Sequence, residues 1–171
     1  ELEVWVVSDG SRDQTAAIAQ SHPVVSRVVA FPQTQGKTRA TLEVVPDITT
    51  PLVFFTDATG ILESAALPTL AEALSQENIG CAGGLVRYVG EKDCAPTGFG
   101  LYQRVVRLLR QAEGDLGNST VVSGALHGVR RECIPMGIPD DVSLELAVPL
   151  QSASMGKAIV YVTDAVCWEE G

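Results

Sequence analysis

The sequence predicts an α/β fold in which helices cover a largely parallel sheet, and two observations carry that expectation. Short apolar runs at 2–8, 24–31 and 52–55 alternate with segments of helical character at 14–20 and 37–45, the sequence form of strand-helix-strand crossovers. The first and third runs each stop at an aspartate, Asp9 and Asp57, at the strand end where open α/β sheets bind ligands.

Taken in order, Leu2 to Ser8 reads as a buried strand that ends at the turn Asp9-Gly10-Ser11. Ser11 or Asp13 can cap the Ala-rich helix that follows. Pro32 and Gly36 punctuate the second strand, and Pro51 introduces the third. Further on, Leu67, Leu70 and Leu74 recur at helical spacing over 63–75. Ser64 is a candidate cap, and Pro68 falls in the first turn, where its missing donor costs little. Residues 79–89 predict another strand. Phe99, Tyr102, Val106 and Leu109 predict one face of a helix that also carries Arg104, Arg107 and Arg110, broken at 114–118. Residues 121–129 read as strand, 144–155 as helix, and 158–168 as two short strands meeting near Thr163-Asp164.

With 171 residues, 46% hydrophobic and 19% charged, the chain predicts a single domain over 1–171 that buries a core. A net charge of −9 leaves no broad basic surface for a phosphate backbone, which argues against nucleic-acid binding. No apolar run reaches the roughly 18 residues of a membrane span, and Glu1 does not open a signal peptide. The expected location is cytoplasmic, at the cytoplasmic face of a membrane if the chain is part of a longer protein. Cys81, Cys94, Cys133 and Cys167 match no zinc or redox spacing, so reduced, partly buried thiols are expected. His22 and His127 lie too far apart in sequence to suggest a metal pair. Gly36-Lys37-Thr38 fails as a phosphate-binding P-loop because Phe31 stands where that motif needs glycine.

In this order the segments resemble the family 2 glycosyltransferases, whose catalytic domain has the GT-A fold, a Rossmann-related three-layer sandwich with a mostly parallel central sheet. Val6-Val7-Ser8-Asp9-Gly10-Ser11 with Asp13 and Thr15 resembles the family's second-strand motif, whose aspartate binds the nucleotide. Gly36-Lys37 resembles the glycine and lysine before the next helix. Val53-Phe54-Phe55-Thr56-Asp57-Ala58-Thr59 is similar to the strand ending in Asp-x-Asp, which holds a divalent cation and the diphosphate. Ser123-Gly124-Ala125 with Arg130 and Arg131 resembles the strand and paired arginines before the catalytic acidic motif.

The resemblance implies an inverting transfer of a sugar from a nucleotide-diphosphate donor, a UDP-sugar first, to a carbohydrate or lipid-linked acceptor, as in bacterial polysaccharide biosynthesis. It implies nucleotide-sugar contacts from Asp9, Ser11, Lys37, Asp57 and Arg131, and Mg²⁺ or Mn²⁺ at Asp57 and Thr59. Arg39 would help Lys37 offset the acidic field. Matching Gly156 and Val148-Pro149-Leu150 to relatives places Glu145 at the catalytic base, with Asp140 and Asp141 as competitors. Pro149 cannot donate to the Glu145 carbonyl, so a local opening of the helix is expected there.

Thr59 stands where the family has its second aspartate, so weakened metal binding is expected. The family's first strand and its C-terminal segment are expected to be missing. An alternative is a noncatalytic sugar-nucleotide-binding or interaction module on the same fold, with an exposed sheet edge open to homo-oligomer pairing. A phosphatase nucleophile loop at Asp57-Ala58-Thr59-Gly60 lacks its own second aspartate.

Overall fold

The computed structural model describes residues 2–89 and 119–170, with isolated helical positions at 105, 108, 109, 112 and 113. The helix face expected from Phe99, Tyr102 and Val106, the arginines 104, 107 and 110, the break at 114–118 and Cys94 lie outside the described residues. The backbone packs as two compact units, Glu1–Thr49 with Ile138–Ser143, and Thr50–Gly137 with Leu144–Gly171.

The first unit pairs β1 (Val4–Asp9) in parallel with β2 (Val25–Phe31) through the crossover helix α1 (Thr15–Ser21), and continues into α2 (Lys37–Val44) and a 3-10 turn, Val45–Asp47. The cap position of α1 is Gln14, with no side-chain cap bond, rather than Ser11 or Asp13 as expected; Asp13, one residue earlier, accepts hydrogen bonds from the Thr15 hydroxyl at 2.5 Å and the Thr15 amide at 3.0 Å. Those bonds hold the Asp13 carboxyl below its ordinary pKa. Ser11 takes no part in the cap, because its hydroxyl receives that of Ser8 at 2.8 Å.

In the second unit, β3 (Leu52–Thr56), β4 (Ile61–Leu62), β5 (Ile79–Val89), β6 (Leu126–Arg130) and β7 (Ala158–Glu170) form one sheet in the order β3-β6-β5-β7-β4. The sheet is mixed: the long β5–β7 register is parallel, whereas β3–β6, β5–β6 and β4–β7 are antiparallel. Asp57 therefore follows a strand whose described partner runs antiparallel, a correction to the parallel strand expected there.

Helix α3 (Ala66–Ser75) buries Ala66, Leu70 and Leu74 against Ala82, Leu126, Ala165 and Cys167, each leucine contributing roughly 1.5–3 kcal/mol by burial. Cys81, one residue out of phase with Ala82, faces the other way. There it meets Cys133, which neighbours Ser152 of α4 (Leu144–Ser154). The second unit is thus three layers, α3, sheet and α4. Cys81, Cys133 and Cys167 are free and buried, and burial pushes all three thiols up.

Three boundaries differ from expectation for local reasons. Helix α3 starts at Ala66 with Ala65 at its cap and no Ser64 bond, because the Glu63 carbonyl already accepts the Ala66 amide at 2.9 Å. Strand β6 starts at Leu126, not Val121, because the preceding backbone groups are used elsewhere. The Val122 amide bonds Glu145, and the Ser123 carbonyl bonds His127 Nδ1. The two expected C-terminal strands are one, β7, whose register jumps from Gly84–Val162 to Leu85–Val166, leaving Thr163-Asp164-Ala165 as the irregularity. Among the described residues no helix is long and apolar enough to cross a membrane.

Arg130 fastens α3 to β5. Its Nε donates to the Ile79 carbonyl at 2.8 Å, and its Nη2 to those of Leu74 at 2.7 Å and Gln76 at 3.1 Å, satisfying acceptors at the helix end. R130A is expected to lower stability by about 2 kcal/mol or more, read from the denaturant midpoint, since hydrogen bonds to a charged donor exceed neutral ones.

Candidate active site

Asp9, Ser11, Lys37, Asp140 and Asp141 belong to the first unit, and Asp57, Thr59, Arg131 and Glu145 to the second. In the first unit, β1 delivers Asp9 to the loop before α2. Gln35 and Gly36 each donate a backbone N–H to a different Asp9 oxygen, both at 2.9 Å, and the Thr34 hydroxyl donates to the Asp9 carbonyl at 3.1 Å. Gly10 is required beside them, since its φ is +74° and a Cβ would collide with the Thr34 amide. Asp9 thus anchors the loop that presents Lys37 at the first position of α2. The following residue, Thr38, is fixed by donation from its hydroxyl to the Val142 carbonyl at 2.9 Å.

Asp140 and Asp141 are exposed, and Asp140 faces the Arg39 guanidinium at 3.7 Å. An exposed pair of this kind stabilises little, but it gives Arg39 a carboxylate neighbour from within the chain.

In the second unit, β3 ends in a tight turn. The Gly60 amide donates to the Asp57 carbonyl at 3.0 Å and the Thr56 hydroxyl to the same oxygen at 3.3 Å. Gly60 admits the close passage of Cys167, whose Sγ would lie 2.8 Å from a Cβ there. The turn is held from beyond as well: the Glu63 amide donates to the Val166 carbonyl at 3.0 Å, and Trp168 Nε1 donates to Glu63 Oε1 at 2.9 Å. Sequence reasoning missed Glu63 and Trp168. The only signal for them was a glycine after the Asp-Ala-Thr triplet and a tryptophan near the end of an apolar run. Asp57 is half-buried and Thr59 exposed.

Glu145, half-buried in the first turn of α4, is tied into the same sheet: its carbonyl accepts the Val122 amide at 3.1 Å. The stretch from Val122 leads to Leu126, which pairs with Thr56, so the backbone of Glu145 and that of Thr56, the residue before Asp57, are both held by the chain entering β6. Arg131 does not join them. Its amide bonds the Pro51 carbonyl at 2.9 Å, at the start of β3, about 20 Å of extended strand from Asp57. Arg130 is occupied by three carbonyls.

Among the described residues no group of three or more His, Cys, Asp or Glu side chains could hold a metal ion.

The anchoring of the 33–36 loop is testable through Asp9. D9N replaces one acceptor oxygen by a donor facing an N–H, so exchange of the Gln35 and Gly36 amides is expected to accelerate. Stability should fall by about 1–2 kcal/mol, measured by NMR and denaturant titration.

Residues 1–134 match the family model described as Glycosyl transferase family 2. Among solved structures, a mannosyltransferase from Pyrobaculum calidifontis in complex with GDP-Man and Mn²⁺ is 25% identical with a TM-score of 0.79, over 98% of this chain and 47% of that one. The glucosyl-3-phosphoglycerate synthase of Mycobacterium tuberculosis, solved with Mn²⁺, UDP and glucosyl-3-phosphoglycerate, is 20% identical with a TM-score of 0.65, over 99% of this chain and 61% of that one; at that identity the likeness concerns the fold. The chain thus spans about half the length of the first and three fifths of the second. No curated protein matches. With a family model covering most of its length, and the same α/β architecture in structures of sugar-transferring enzymes, the chain belongs to glycosyl transferase family 2.

Proposed function

We propose that the chain is the donor-binding and catalytic part of an inverting glycosyltransferase, moving a sugar from a nucleotide diphosphate to an acceptor hydroxyl. The observation that carries the reading is that two half-buried acidic residues stand beside one stretch of chain: the Glu145 carbonyl is bonded to Val122, and Thr56, the residue before Asp57, pairs with Leu126 at the start of β6. Glu145 takes the proton from the acceptor hydroxyl as its oxygen attacks the anomeric carbon. The bond from that carbon to the phosphate oxygen breaks on the opposite face, so the anomeric configuration inverts and the nucleoside diphosphate leaves with the electron pair. Asp57, with the Thr59 hydroxyl, would hold Mg²⁺ or Mn²⁺, whose charge stabilises the departing diphosphate. Asp9, Ser11 and Lys37 are read as nucleotide contacts, with Lys37 offsetting part of the −9 charge that repels a diphosphate.

The complexes of the structural neighbours, one with GDP-Man and one with UDP, support a nucleotide-sugar donor bound with Mn²⁺. A UDP-sugar and a carbohydrate or lipid-linked acceptor complete the proposal. Asp140 and Asp141 remain the competing bases, and their exposure argues for Glu145. One observation favours the noncatalytic alternative: Thr59 leaves the turn with a single carboxylate.

Calorimetric titration with UDP and GDP, each with and without Mn²⁺, is expected to show metal-dependent binding of one nucleotide. No binding at millimolar nucleotide by a folded chain would favour the noncatalytic module. E145Q is expected to retain nucleotide affinity while kcat falls about a hundredfold or more, the usual cost of losing a general base.

A further inference from the structure

We infer that Pro149 is a positioning residue for Glu145, acting by leaving the Glu145 carbonyl open to the Val122 amide. The inference rests on the reading of Glu145 as the base. In an uninterrupted helix the carbonyl of residue 145 accepts the amide of residue 149. Proline has no such amide, and its ring crowds that same carbonyl, turning it off the helix axis.

In α4 the open carbonyl is used, accepting the Val122 N–H at 3.1 Å. Val122 is 4% exposed, so its amide has little access to water and depends on an acceptor within the protein. Its side chain is seated as well, with Cγ1 3.2 Å from the position of a Cβ at Gly83. Pro149 is itself fully buried, so the interruption sits at a fixed point of the packing. The consequence falls on Glu145. A residue in the first turn of a helix is where fraying begins, yet here its backbone is bonded to a segment that continues into the central sheet. Proline, the residue least suited to a helix interior, therefore exchanges one bond inside α4 for a bond that fixes Glu145 against the chain leading to β6.

The test combines amide exchange with turnover. In ¹⁵N-labelled full chain, exchange at Val122 is compared with exchange at Val129 of β6 in wild type, P149A, P149S and V148A. The kcat and KM for Mn²⁺-dependent hydrolysis of UDP-glucose and GDP-mannose are measured on the same proteins. P149A and P149S restore the missing donor with two different side chains, so that either can serve if the other does not fold. V148A removes buried packing without restoring a donor.

Both Pro149 variants are expected to speed exchange at Val122 about tenfold relative to Val129 and to lower kcat about tenfold to a hundredfold with KM unchanged, as for a displaced catalytic group. V148A should lower the melting temperature and leave Val122 exchange and kcat near wild type. Unchanged Val122 exchange in the Pro149 variants, or faster exchange with wild-type kcat, overturns the inference. E145Q separates the two levels. An inactive E145Q beside a Pro149 variant at wild-type kcat removes the positioning role alone, whereas a fully active E145Q removes Glu145 as the base and this inference with it.

Discussion

Strand β5 has no solvent face from Ile79 to Leu85, and the second unit is arranged around that constraint. A strand buried on both faces needs its backbone groups paired with neighbours and both sides covered by apolar layers. The parallel register with β7 and the antiparallel one with β6 supply the pairing. Helix α3 supplies one cover, and α4 with the turn around Cys133 the other. The composition of β5 follows: alanine, cysteine and glycine fill 80–84, small enough for helices and neighbouring side chains to close on both faces. Arg130 belongs to the same solution, since its guanidinium donates to three carbonyls at the junction of α3 and β5.

The candidate site is built from what these demands leave over. Asp9 is a charged residue at a strand end, yet both of its oxygens receive backbone amides, so its first role is to shape the loop that presents Lys37. Glu145 has its backbone held at the start of α4, where its carbonyl accepts the Val122 amide. Asp57 sits on a turn clamped at Gly60, Glu63 and Trp168. In each case the backbone is restrained by hydrogen bonds before any ligand arrives, which lowers the ordering cost of binding.

The strands of the first unit and the long β5 were legible because apolar runs bounded by Asp, Gly and Pro are local signals. The missing partner of the Glu145 carbonyl was legible for the same reason, since the loss of a donor at Pro149 follows from covalent structure alone, although α4 runs unbroken from Leu144 to Ser154 where a local opening was expected. Where β6 begins was not legible, because residues 121–125 carry strand-forming side chains and only the nonlocal acceptor at Glu145 and the turn at Ser123 withdraw their backbone from the ladder. The mixed sense of the sheet was hidden likewise, since strand direction depends on connections rather than on the strands themselves.

The sequence by itself determined the α/β class, the succession of elements, and the strand-end and helix-end positions of Asp9, Asp57 and Glu145, since periodicity, turn residues and proline act over a few residues. Only the tertiary structure decided which charges are used internally. Adjacent arginines look alike in a sequence, yet Arg130 spans three carbonyls while the Arg131 backbone is bonded at the start of β3, the end opposite Asp57. The physical reason is that strand register carries a residue to one edge of a sheet or the other, and register is fixed by partners distant in the chain.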